Sequence, residues 1–191
     1  MTGEIDGPVR PDAKTSVTDG VAEYLFADPN ANVYVVLDGA SVTGLLDRLY
    51  QDEPDFICLY RGEIAPDLAE VAPYLARLER KSAFTNWVLG SGWGNHWGIF
   101  AVTQADLSSA RQHFRRFLTV HDSGGKPMLF RYYDPRVLRV YIPTCNSREL
   151  EDFWGPTLIY ILEAEDAHDL LLFQLSDGGL VTQTKTLVED H

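Results

Sequence analysis

Residues 33–60 read VYVVLDGASVTGLLDRLYQDEPDFICLY, and the expected fold turns on this stretch. Val33-Tyr34-Val35-Val36-Leu37 is a continuous apolar, largely β-branched run, the pattern of a strand buried on both faces. Asp38-Gly39-Ala40-Ser41 turns the chain, with Asp38 or Ser41 placed to cap the next helix. Val42, Leu45, Leu46 and Leu49 recur at the spacing of one helix face. Phe56 to Tyr60 is a second apolar strand. The stretch therefore predicts one βαβ unit, with parallel strands and a right-handed crossover.

On the N-terminal side, residues 1–20 hold Gly, Pro, Asp, Ser and Thr with little apolar content and are expected as a mobile tail. On the C-terminal side, Pro66 and Pro73 break any long helix before a short strand over 74–78. A short helix over 84–89 ends at Gly90, Gly92 and Gly94. Trp97 to Val102 is a strand, and Thr103 with Asp106 has capping-box spacing ahead of a helix buried through Leu107, Ala110, Phe114, Phe117 and Leu118. Pro127 to Tyr133 predicts a further strand, with Asp134 as the cap and Pro135 as the first residue of the next helix. A helix over 147–153 and strands over 157–162, 170–175 and 180–184 complete the chain. The expected class is α/β: a mixed, mostly parallel sheet with flanking helices, plus a smaller C-terminal α+β lobe. The expected divisions are the tail 1–20, a core lobe 21–145 and a C-terminal lobe 146–191.

The chain has 191 residues and 45% hydrophobic composition, enough for one sizeable core. Its net charge is -12, which disfavours nucleic acid and anionic membrane as partners of the whole surface. The charge is segmented: residues 1–70 carry -10, residues 71–148 carry +7 and residues 149–191 carry -9. Two readings stay open, a basic middle packed against acidic flanks, or a basic face that meets an acidic partner. The N-terminus lacks a signal-type apolar stretch and no run reaches the ~20 apolar residues of a membrane span, so a cytoplasmic protein is expected.

Gly90-Ser91-Gly92-Trp93-Gly94 follows a helix and precedes a strand, the reverse of a dinucleotide fingerprint, and reads as a turn. Cys58 and Cys145 form no C-x-x-C pair. His96, His113 and His121 have no second histidine at i+4, and His113 falls on the polar side of its predicted helix. Neither a metal, a cofactor nor a catalytic set is expected. A hydrolase using Asp38 and a histidine is an alternative, as is an immunity protein that holds a basic toxin through the acidic flanks. Arg131-Tyr132-Tyr133-Asp134-Pro135-Arg136 stands apart. Asp134 caps a helix and can pair with Arg131 or Arg136, while Arg and Tyr are the types enriched at binding hot spots.

Several stretches together resemble the adaptor-chaperones of bacterial type VI secretion, a family known as domain of unknown function 4123. They are Ala72-Pro73-Tyr74-Leu75-Ala76-Arg77-Leu78, Trp97-Gly98-Ile99-Phe100, Ala110-Arg111-Gln112-His113-Phe114-Arg115-Arg116-Phe117, Leu129-Phe130-Arg131-Tyr132-Tyr133-Asp134-Pro135-Arg136-Val137-Leu138 and Phe153-Trp154-Gly155-Pro156. The resemblance covers about residues 33–156. It implies a non-enzymatic cytoplasmic protein whose partners are a secreted effector and the valine-glycine-repeat (VgrG) spike protein. It marks Arg115, Trp97, Trp154 and the Arg131 to Arg136 block as signature or partner-binding residues, with partner choice in the C-terminal segment.

Overall fold

The computed structural model describes residues 13–187. Part of the tail expected over residues 1–20 falls on residues 1–12, outside the described residues; from Ala13 the chain is helical. The elements are α1 (Ala13–Leu25), β1 (Asn32–Asp38), α2 (Leu45–Asp52), β2 (Phe56–Cys58), α3 (Pro66–Glu70), β3 (Pro73–Leu78) and α4 (Ala83–Trp87). There follow β4 (Gly98–Thr103), α5 (Leu107–Arg115), β5 (Thr119–His121), β6 (Pro127–Leu129), α6 (Pro135–Tyr141), α7 (Ser147–Trp154), β7 (Thr157–Glu163), β8 (Asp169–Ser176) and β9 (Gly179–Thr186).

Seven strands form one sheet in the order β2-β3-β1-β4-β7-β8-β9, and every pairing in it is antiparallel. The expected mostly parallel sheet is therefore wrong. β1 and β2 do run in the same direction, because both are antiparallel to β3, but β3 lies between them. The apolar run 33–37 reports burial on both faces, and parallel sheets are only one way to obtain it. Here helices cover both faces of an antiparallel sheet. The expected separate C-terminal lobe is also replaced, since β7, β8 and β9 continue the same sheet. Pro127 to Tyr133 does not join it: only 127–129 are extended, and they pair with β5 in a two-stranded hairpin.

The pleat sorts the core. Val33, Val35 and Leu37 face one side, with Val21 and Leu25 of α1, Leu45 and Leu49 of α2 and Phe84 of α4. Tyr34 and Val36 face the other, with Phe114 of α5, Leu138 of α6 and Phe153 and Trp154 of α7. Local chemistry sets the helix ends, not always at the predicted residue. Asp106 caps α5 by accepting from Ser109 N at 2.8 Å, whereas Thr103 turns its hydroxyl to Pro156 O at 2.6 Å. α2 starts only at Leu45, after Gly44 at φ 73°, so neither Asp38 nor Ser41 caps it. Asn146 and Glu149 form a reciprocal capping box at α7. No helix among the described residues is long and apolar enough to cross a membrane.

Gly98 sits opposite Leu37 in the β1–β4 ladder, and a Cβ there would lie 2.1 Å from Val36 O. That neighbour is main chain and cannot rotate away. Gly98→Ala is expected to lower the unfolding free energy by about 2 kcal/mol or more, read as a shift of the urea midpoint followed by circular dichroism.

Candidate functional site

Asp38 ends β1 with its side chain 2% exposed. Its Oδ1 accepts from Ala40 N at 3.1 Å and its Oδ2 from Ser41 Oγ at 2.8 Å, which closes the turn after the strand. Arg131 reaches the same carboxylate from 93 residues away and donates to Oδ2. Its guanidinium also stands 4.0 Å from Asp134. Asp134 caps α6 through Arg136 N at 2.9 Å and receives the Arg136 fork at 3.0 and 2.7 Å. The four groups alternate in sign, so two buried carboxylates are neutralised by two arginines. Burial alone would raise the Asp134 carboxyl; the bonds and charges from Arg136 and Arg131 outweigh it and hold it below the usual range.

The intervening residues face inward. Tyr132 and Tyr133 are buried in the second core, with Pro135 beside them in the chain also buried. The Tyr132 hydroxyl donates to Phe114 O at 2.9 Å, and its ring neighbours Phe114, Phe117 and Phe153. Burial, then the charge of Asp38, pushes the Tyr133 phenol up. Within the block, only Arg131, 42% exposed, and Arg136, 51% exposed, reach solvent with their side chains.

The other signature residues lie apart from this block. Trp154 is buried, perpendicular to Tyr160 at 5.2 Å. Trp97 is half-buried on the opposite face of the sheet, 4.8 Å from Trp87 and tight over Gly92. Arg115 is half-buried beyond the end of β2, donating to Leu59 O at 2.7 Å, Cys58 O at 3.1 Å and Tyr60 O.

Among the described residues no histidine pairs with Asp38, the residue of the hydrolase alternative. His96 pairs with the buried Glu163 at 3.3 Å, and His168 with Asp166 at 2.9 Å. His113, expected on a polar face, is buried with Nε2 2.9 Å from Phe153 O. Its ring fills the space a Cβ of Gly155 would need, 2.5 Å away, and Gly155 has φ 48°. This links the Phe153-Trp154-Gly155 stretch to the α5 stretch, which no spacing reveals because the residues are 40 apart. Burial pushes both cysteine thiols, Cys58 and Cys145, up, away from nucleophilic thiolate. Among the described residues no group of three or more His, Cys, Asp and Glu could hold a metal ion.

Burial also lowers His113 from its usual 6.5 to about 4. Between those values the unfolded chain binds the proton and the folded chain does not, so stability rises with pH across the window. Wild type is expected to lose stability on acidification from about pH 6.5 to 4, and His113→Gln to lose less, by on the order of 3 kcal/mol at the acid end. Urea midpoints measured at several pH values check this. Arg131→Met should cost about 3 kcal/mol by stranding the Asp38 carboxylate, and adding Asp38→Asn should recover part of it; the double-mutant cycle measures the coupling.

No curated protein and no solved structure matches the chain. One family does, over residues 33–152, a span that includes the Asp38–Arg131 brace, Arg115 and all but the last two residues of α7. The chain belongs to the family described as a domain of unknown function, DUF4123.

Proposed function

We propose that the chain is a cytoplasmic adaptor-chaperone that binds an effector of a type VI secretion machine and helps load it onto the VgrG spike. The family match and the five stretches that resemble such adaptors support this reading. The observation that carries it is the form of the Arg131 to Arg136 segment. Its backbone is pinned by buried tyrosines and by two carboxylates, while half of each arginine remains at the surface. A rigid frame that presents guanidinium groups loses little entropy on meeting a partner, and arginine is over-represented among the residues that dominate such contacts. Asp38, at the end of a buried strand, already accepts from Arg131 and Ser41, so the geometry gives it a bracing role. The net charge of -12 favours a protein partner over nucleic acid.

Co-expression of the tagged chain with the effector and spike proteins of its own genome tests the reading. Both are expected to co-elute. Arg136→Ala, which leaves Asp134 paired with Arg131, should reduce retained effector about tenfold without changing the circular dichroism spectrum. Recovery of neither protein overturns the proposal.

A further inference from the structure

Arg61, Arg111 and Arg115 lie near one another beyond the end of β2, one of the two edge strands of the sheet. Arg115 is held in place by the carbonyls of Cys58, Leu59 and Tyr60. Arg61 directly follows Tyr60, and Arg111 lies one turn before Arg115 on α5. Arg61 is exposed and the other two are half-buried. Burial, then the charges of Arg111 and Arg61, weakens the hold of Arg115 on its proton, the mark of crowded cations.

Among the described residues none of the three forms an ion pair, whereas Arg48, Arg77, Arg131 and Arg136 each do. Glu63 and Asp67, close in sequence, are exposed and pair with none of them. Scarcity is not the cause, since the chain has 28 Asp and Glu against 16 Lys and Arg. The Nε of Arg111 is enclosed, and no hydrogen bond reaches it from the described residues. Like charges four apart on a helix are destabilising, and carbonyl dipoles fix Arg115 without cancelling its charge. The cluster thus keeps a local positive field on an acidic protein.

We infer that Arg61, Arg111 and Arg115 form a docking site for a short acidic segment of a protein partner, whose carboxylates bridge the guanidinium groups. The inference rests on the reading that the chain works by holding a protein, and adds the chemistry of the segment that is held. Planar guanidinium forks match carboxylates, and three of them spaced along a helix turn and a strand end suit several carboxylates in succession. The acidic flanks, -10 over residues 1–70 and -9 over 149–191, oppose any long polyanion.

The test uses the full chain and a fluorescein-labelled poly-L-glutamate of roughly 20 residues, read by anisotropy at low salt and again near 0.5 M salt. Wild type is expected to bind, more weakly at high salt. R61E/R111E should bind at least tenfold more weakly with an unchanged circular dichroism spectrum, and R148E, altered on α7, should bind like wild type. If the reversal variant does not fold, R61Q/R111Q takes its place with the same expectation. Absence of binding, equal binding by wild type and the double variant, or displacement by tripolyphosphate at equal charge concentration overturns the site. This assay contains no effector. Effector capture without poly-glutamate binding therefore removes this site and leaves the adaptor reading, whereas poly-glutamate binding without effector capture does the reverse.

Discussion

A carboxylate at the end of a fully buried strand constrains much of this molecule. Asp38 closes β1, the third strand in the seven-stranded order, and its side chain is enclosed. An unpaired charge there would cost several kcal/mol. Arg131 supplies the counter-charge, and in doing so ties the segment between the β5–β6 hairpin and α6 to the end of β1. Once that segment is tied, Tyr132 and Tyr133 enter the core beside it, and Asp134 is positioned to start α6 and to hold Arg136.

The two faces of the sheet are built differently. The face covered by α1, α2 and α4 mixes aliphatic side chains with Trp93 and the half-buried Trp87 and Trp97. The face covered by α5, α6 and α7 is dense in rings; the hydroxyls of Tyr34, Tyr132 and Tyr160 and the His113 ring meet main-chain carbonyls, whereas the enclosed Trp154 indole N–H meets no acceptor among the described residues. Phe153 O alone accepts from the Tyr160 hydroxyl and from the His113 ring. Buried phenols and imidazoles need such partners, so this layer permits few alternative arrangements. Most of the sequence blocks that carry the family resemblance supply this face: Phe114, Tyr132, Tyr133, Phe153 and Trp154 all lie in it. The signature is therefore chiefly a packing signature, with Arg131 and Arg136 exposed at its rim.

Local signals were readable in the chain. The strands at 33–37 and 97–102, the Asp134-Pro135 helix start and the 170–184 hairpin stand close to where their patterns place them, because side-chain periodicity and cap chemistry act over a few residues. Strand direction was not readable. The run 33–37 marks two buried faces, and a parallel and an antiparallel neighbour satisfy it equally. The burial of His113 was hidden for a similar reason, since its neighbour Gly155 comes from another helix end.

The sequence by itself determined where β1, β4, β7, β8 and β9 run, that Asp134 caps α6, and that a basic middle sits between acidic flanks, because these depend on neighbours in the chain; the helix from Ala13 and the starts of α2 and α5 did not follow their local patterns. Only the tertiary structure decided that β3 enters between β2 and β1, that Arg131 answers Asp38, and that Arg61, Arg111 and Arg115 lie together with no ion pair to a carboxylate of the described residues. Those outcomes depend on charges and backbone groups brought together across tens of residues. The energy of such meetings is set by distance and burial, which chain spacing does not encode.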